Sequence, residues 1–222
     1  MTKLQCVLAV AALLLATAQA QNYCVVPASL KSSTAQVGGQ ITQPIAAVVK
    51  PGSPASFQGT IGIVFPQSKC PTAGNVQAAL KSAFLATPKG WAPVSVTPST
   101  AAVQIGNTQV ATVSLTGLQG TVASQPGVQN PKVVATAGVV TTKSQLNMDP
   151  FNLAGQAMSM AGSGCGLKAS GTQVTFGCPN LQVNNQMKVR QGAGNIQIKG
   201  ALTAVGDLTK GQLLPASQIP RA

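Results

Sequence analysis

The chain lacks histidine and glutamate altogether, and its 222 residues include only two acids, Asp149 and Asp207. General acid–base catalysis usually relies on histidine or a carboxylate, and a nucleophilic serine or cysteine normally needs a basic partner. None of the Ser-x-x-Lys, P-loop, GxSxG and HExxH patterns occurs in the sequence. The composition therefore predicts a protein that is not an enzyme, with no catalytic residues and no cofactor.

Aromatic residues are also scarce, at 3% of the chain, whereas apolar residues reach 45%. A core built from this inventory must be aliphatic. Specific recognition of nucleic acids commonly stacks bases on aromatic side chains, so the scarcity argues against a specific nucleic-acid partner. A site that stacks neutral sugars on aromatic rings is disfavoured for the same reason.

Residues 1–20 have the pattern of a secretory signal. Lys3 provides the positive start, the apolar run covers 7–15, and Ala18 and Ala20 form the small-x-small cleavage pattern. The run is shorter than the roughly 20 apolar residues that a membrane-spanning helix needs, and no longer run follows. The sequence thus predicts a secreted, extracellular protein without a transmembrane segment.

Four cysteines follow the signal: Cys24, Cys70, Cys165 and Cys178. An even number in a secreted chain indicates two disulfides. A two-residue turn at Gly171-Thr172 would place Cys165 directly opposite Cys178, so this pairing is favoured. Cys24 then pairs with Cys70. A zinc site is the alternative, but the spacing is not of the CxxC kind and histidine is absent, so no metal site is predicted.

Short alternating runs of Val, Thr, Ile and Ala, separated by Gly, Pro, Asn and Ser, are typical of many short strands. The fold predicted is mainly β, an antiparallel β-sandwich or barrel with one or two short helices. The clearest strand is 56–65, in which Phe57, Ile61, Ile63 and Phe65 share one face and Gly59 marks a bulge.

Two helices are expected. Asn75 can cap a helix that carries Val76, Leu80, Ala83 and Phe84 on one face and ends at 88–90. Asp149 and Pro150 form a cap and first-turn pair that predicts a second helix over 151–161. The other acid, Asp207, follows Gly206 and is expected in a solvated turn.

Residues 21–210 are predicted to form a single secreted β-rich domain. Glycine and proline interrupt the strand pattern over 119–131, which is a candidate joint between subdomains. The segment 211–222 has two prolines and little periodicity, and a loosely ordered tail is expected there.

The segment 181–199 carries the sharpest functional pattern. Apolar residues alternate with amides and cations, and the chain returns after 191–194, so a hairpin with one polar face is predicted. This face collects Lys188, Arg190 and Lys199, which can bind an extended anionic polymer through charge and amide hydrogen bonds. A solvated strand face with an ordinary share of lysine is the competing interpretation.

The formal net charge of +12 predicts attraction to polyanions as a whole. We expect a non-enzymatic structural or binding protein of the extracellular matrix, cell wall or coat, which attaches to acidic polysaccharide or another extracellular polyanion. Self-association is a further expectation, because strands with few charges protect their edges poorly.

A carrier or recognition protein with an apolar ligand pocket is the alternative. The residues expected to line such a pocket are Phe84, Phe151, Met158 and Met160, whose competing interpretation is ordinary core.

Overall fold

A computed structural model describes residues 21–43, 46–144, 149–189 and 192–222 of the protein. The predicted signal, residues 1–20, lies outside the described residues. The strands are β1 (Asn22–Gln43), β2 (Ala47–Pro51), β3 (Ala55–Gln58), β4 (Thr60–Phe65), β5 (Phe84–Ala86), β6 (Val94–Val96), β7 (Ser99–Ile105), β8 (Thr108–Gln125), β9 (Gln129–Ser144), β10 (Phe151–Asn152), β11 (Ala157–Ser163), β12 (Gly166–Ser170), β13 (Gln173–Val189), β14 (Gly192–Asp207) and β15 (Gln212–Pro215). Helix α1 covers Val76–Ala79, and three 3₁₀ turns cover Pro126–Val128, Leu208–Lys210 and Ala216–Gln218.

The predicted mainly antiparallel β fold is confirmed, and its strand order closes on itself. The ring runs β9-β11-β13-β14-β1-β2-β7-β8, and β8 pairs with β9 to complete it. Every pairing in the ring is antiparallel. Because closure pairs the strands on both sides, the arrangement corresponds to the barrel rather than the sandwich alternative.

Strands β1 and β8 are long enough to be bridged at three successive levels. Near the start of β1 the bridge is β4 with β5, in the middle it is β3 with β6, and towards its end it is β2 with β7. The segment 119–131, a candidate subdomain joint by sequence, belongs to this sheet. Its proline and glycine make the 3₁₀ turn between β8 and β9, which pair along most of their length.

The core is aliphatic, as the composition requires. Inward-facing residues alternate along the strands, for example Val113 and Leu115 on β8 and Val183 on β13. Phe65 and Phe176 are among the few fully buried aromatic residues. Such burial contributes roughly 25 cal/mol for each Å² of apolar surface removed from water, so these alternating residues hold the two sides of the sheet together.

Both predicted disulfides are present. Cys24 pairs with Cys70, which links β1 to the loop after β4, and Cys165 pairs with Cys178. Strands β12 and β13 are joined by the two-residue turn at Gly171-Thr172, where Gly171 has a φ of 55°. The register puts Gly166 opposite Gly177, so the cysteines immediately outside that pair meet as the turn chemistry predicts.

The predicted strand over 56–65 divides at its glycine. Gly59 has a φ of 118°, which only glycine adopts readily, and it separates β3 from β4. After this break, Ile61, Ile63 and Phe65 are buried on the face that the alternation predicts. Phe57, before the break, is partly buried and packs on the same core.

The prediction of a helix over 151–161 is wrong. The segment forms β10 and β11, separated by a turn in which Gly155 has a φ of 80°. Met158 and Met160 are both buried because residues two apart share a face of a strand, whereas a helix would turn them apart. Pairing of β11 with β9 and β13 satisfies its backbone groups, which outweighs the local preference of Asp149 and Pro150 for a helix start.

The helix predicted after Asn75 is present but is much shorter than expected. It ends at Ala79, and Phe84 belongs to β5, which pairs with β4 and β8. Asn75 uses its side-chain oxygen to accept a hydrogen bond from the backbone N–H of Thr72, at 2.8 Å, rather than to cap the helix. Val76 is buried against the main core, so this single turn packs on the sheet.

The tail after Gly211 is ordered by pairing rather than loosely held. Strand β15 runs antiparallel to the start of β1, and Ile219 is buried beside Tyr23 and Phe84. The guanidinium carbon of Arg221 lies 5.3 Å from the centre of the Tyr23 ring and 5.7 Å from that of Phe84. The local sequence does not reveal this, because the tail binds residues almost two hundred positions away.

Replacing Arg221 by alanine is expected to lower the free energy of unfolding by about 1 kcal/mol, since it removes a cation–π contact with two rings. Urea denaturation would measure this loss. Faster hydrogen exchange of the β15 amides should accompany it. Unchanged stability and exchange would show that the contact does not hold the tail.

Candidate functional site

The polar face predicted on the 181–199 hairpin continues onto a third strand. Strands β13 and β14 form the hairpin, and β14 also pairs with β1 over most of its length. The register aligns three successive rows of outward residues across these strands. We call the surface that they form the amide face: Gln36–Lys199–Gln182, Gly38–Gln197–Asn184 and Gln40–Asn195–Gln186.

The amide face points to solvent because its sequence neighbours point inward. Val37, Val183 and Ile198 are buried, while Gln36, Lys199 and the other members of the face are exposed or half-buried. Seven of the nine positions are Gln or Asn, one is lysine and one is glycine. None is acidic.

Rows of this kind present hydrogen-bonding groups at regular intervals. Neighbouring strands lie about 4.8 Å apart, and alternate residues along one strand about 6.8 Å apart. Each amide both donates and accepts hydrogen bonds. The side-chain nitrogen of Gln182 donates to the side-chain oxygen of Asn184 at 3.1 Å, which orients these two amides along β13. The result is a surface of regularly spaced amides without negative charge.

A groove of about 320 Å³ crosses the amide face between β14 and β2. Its floor is Gly38 and Gly39, where missing side chains leave the backbone open. Gly39 is also required by the fold, because its φ is 143° and a Cβ there would stand 2.1 Å from the backbone oxygen of Asn195. Strand β14 lines one wall with Asn195, Gln197 and Lys199.

The opposite wall of the groove is partly apolar. Val48 of β2 is 48% exposed, and Pro51 at the end of the same strand is also exposed. On the polar side, the side-chain oxygen of Asn195 accepts a hydrogen bond from the backbone N–H of Gln40 at 2.8 Å, which fixes that wall to β1. The groove therefore combines an amide and cationic wall with a smaller apolar one.

Of the three cations predicted for the site, the structure places the side chain of one. Lys199 is exposed in the centre of the first row, between Gln36 and Gln182. Lys188 pairs with Ala193 near the end of the hairpin. Its side chain and the whole of Arg190 lie outside the part of the chain that the structure describes.

Two lysines that the sequence pattern did not single out flank the amide face. Lys132 pairs with Ser159, which pairs with Asn184, so it extends the second row by two strands. Lys50 follows Val49, the partner of Gly39 on β2. Both are exposed. The alternation of Gln36, Gly38 and Gln40 was visible in the sequence, but only the pairing of β1 with β14 shows what it adjoins.

The ring encloses a second cavity, which is apolar. It has room for about 40 Å³ and is lined by residues from most strands of the ring, including Met158 and Met160. Phe151 packs on the same core, whereas Phe84 lies in a separate cluster with Tyr23. Ligand sites usually measure about 300 Å³ or more. The cavity is therefore a small void in the core and does not support the carrier hypothesis.

Both acids lie outside the amide face. Asp207 ends β14 and accepts hydrogen bonds from the backbone N–H and the hydroxyl of Thr209, at 3.0 and 2.8 Å. These bonds hold the pKa of Asp207 below its usual value. Asp149 is exposed in a segment that is not helical. In the described ranges, no group of three or more His, Cys, Asp or Glu could hold a metal ion.

The described part of the chain contains no helix that is long and apolar enough to span a membrane. Comparisons with protein-family models, with curated proteins and with solved structures find no match for the chain. The amide face and its groove are the features of this fold that carry a functional argument.

Proposed function

We propose that this protein is a secreted, non-enzymatic binding protein that attaches to acidic polysaccharide of a matrix, wall or coat through the amide face. The observation that carries the proposal is the alignment of seven amides and Lys199 on three adjacent strands, with no acid among them. Amides hydrogen-bond the hydroxyls of a polymer, and a lysine attracts its negative groups.

Two further observations support the proposal. Disulfides persist in oxidising compartments, and both are formed here, which supports secretion. The excess of cations raises the local concentration of any polyanion around the protein. Self-association through sheet edges receives less support, since ring closure pairs the long strands on both sides and leaves mainly short edges such as β12.

Binding of the oxidised protein to immobilised alginate, dextran sulfate and neutral dextran, over a series of salt concentrations, tests the proposal. Affinity for the acidic polymers should fall with salt, and neutral dextran should bind much more weakly. Lys199→Ala is expected to raise the dissociation constant up to about fivefold, the range of an exposed ion pair.

The matched control is Lys168→Ala, because Lys168 is an exposed lysine on β12, away from the amide face. It should leave binding nearly unchanged. Equal losses for the two variants would mean that overall charge rather than the amide face binds the polymer. Absence of binding to both acidic polymers would contradict the function itself.

A further inference from the structure

The groove across the amide face has walls of opposite character, which matches a particular kind of sugar. We propose that it holds one hexuronic acid residue of the polymer, with the carboxylate at Lys199, the hydroxyls at Asn195 and Gln197, and a carbon–hydrogen face against Val48 and Pro51. This proposal rests on the proposed function and names the repeating unit that the same site takes.

The size of the groove limits what it holds. About 320 Å³ is at the lower end of the range for small-molecule sites, so it suits one unit of a polymer better than a long stretch. The remaining amides of the face, Gln182, Asn184 and Gln186 on β13, then lie where neighbouring units of the polymer would run. The groove is thus a subsite within a longer binding surface.

The charge of the groove selects the anionic group. Among the lining residues that the structure describes, Lys199 is the sole cation. One ammonium group balances the single charge of one carboxylate, whereas a heavily sulfated sugar unit carries more than one negative charge and needs several cations together. A polymer with one carboxylate on each unit therefore fits this groove better than a heavily sulfated one.

The shape of the walls fits a sugar ring. A pyranose unit has hydroxyls around its edge and patches of carbon–hydrogen surface on its faces. Val48 exposes nearly half of its surface, and Pro51 stands beside it on the β2 side. On the β14 side, the amides of Asn195 and Gln197 stand in adjacent rows. One unit can therefore make apolar contact and hydrogen bonds at the same time.

The floor of the groove provides a steric test. A Cβ at Gly38 would lie 3.3 Å from the backbone oxygen of Val49 and 4.0 Å from the ring of Pro51, which is within the groove. The φ of Gly38 is outside the left-handed region, so a side chain is compatible with its backbone. Gly38→Val should fill the site, and Gly177→Ala, on β13 where a Cβ has nothing within 4 Å, is the matched control.

Isothermal titration with three oligosaccharide probes of equal length tests the proposal: an alginate oligosaccharide, the same compound after carboxyl reduction, and a sulfated dextran oligosaccharide. We expect the alginate probe to bind about tenfold more tightly than its reduced form, and Lys199→Ala to remove most of this difference. Gly38→Val should weaken the alginate probe about tenfold, and Gly177→Ala should not.

Val48→Ser gives a second test, of the apolar contact, at a side chain that is already half exposed. It should weaken the alginate probe on the order of threefold through loss of apolar contact, and this result stands even if Gly38→Val fails to fold. If the sulfated dextran probe binds as tightly as alginate, and neither Gly38→Val nor Val48→Ser weakens its binding, the groove proposal is overturned while polyanion binding by the protein still holds. Failure of both acidic probes would instead remove the proposed function.

Discussion

Replacing Cys24 and Cys70 together by serine is expected to lower the free energy of unfolding by about 4 kcal/mol. The bond closes a loop of 46 residues, and in the chain-entropy model a longer loop restricts the unfolded chain more. Cys24 is also completely buried, so a serine hydroxyl at this position would be buried away from water, which adds to the loss of stability. Urea denaturation followed by the fluorescence of the single tryptophan, Trp91, would measure the change.

The second disulfide is the matched comparison. Serine at both Cys165 and Cys178 opens a loop of only 13 residues, for which the same model predicts about 3 kcal/mol. This bond closes a hairpin that already has a favourable turn and five paired residues on each strand. A loss from the second variant that equals or exceeds the first would contradict the loop-length argument.

Gly200→Ala is expected to cost about 3 kcal/mol, although alanine is the smallest possible addition. Gly200 lies on β14 between Ala35 of β1 and Leu181 of β13, next to the register shift in β1. An added Cβ would stand 1.9 Å from the backbone oxygen of Thr34. Because backbone atoms form the obstacle, the β1–β14 pairing itself must shift.

Thermal unfolding should show this as a lower midpoint by roughly 10 °C for a chain of this size. Gly177→Ala provides the control, since a Cβ there meets nothing within 4 Å. It is expected to be neutral or stabilising by about 0.5 kcal/mol, because alanine restricts the unfolded chain. Equal midpoints for the two variants would contradict the close approach of β1 and β14 at Gly200.

A shift of the β1–β14 register in Gly200→Ala would also affect the binding site. The amide face exists only while β1 and β14 stay in register, because Gln36, Gly38 and Gln40 belong to one strand and Lys199, Gln197 and Asn195 to the other. Gly200 adjoins the first row of that face. Loss of polysaccharide binding by Gly200→Ala at a temperature where it is still folded would show that register, and not only side-chain identity, determines the site.

Strong local signals predicted their part of the structure well. Gly171-Thr172 formed the expected two-residue turn, and the alternation over 181–199 formed a hairpin with Lys199 exposed. The turn of this hairpin was predicted too long, because 192–194 pair with β13 as part of β14. A tight turn and an alternating strand pattern both depend on residues that are close together in the sequence. Such features can therefore be predicted from the sequence alone. The cysteine pairing followed from the same turn.

Weaker local signals failed where distant strands competed with them. Asp149 and Pro150 favour a helix start, yet the residues after them complete a sheet between β9 and β13. The tail after Gly211 has little periodicity of its own and is ordered by pairing with β1. After Asp149 and Pro150, backbone hydrogen bonds to distant partners outweigh a local helix preference of about 1 kcal/mol, and in the tail they act where the local sequence has little preference of its own.

The sequence by itself determined the chemistry available to this protein: aliphatic strands, two disulfides, many amides and lysines, and almost no acid. Tertiary structure alone decided which of these residues meet. Ring closure set β1 beside β14, so that Gln40 and Asn195, 155 positions apart, form one hydrogen-bonded wall. Pairing between distant strands depends on which faces fit and which loops can close, and no local pattern records that choice.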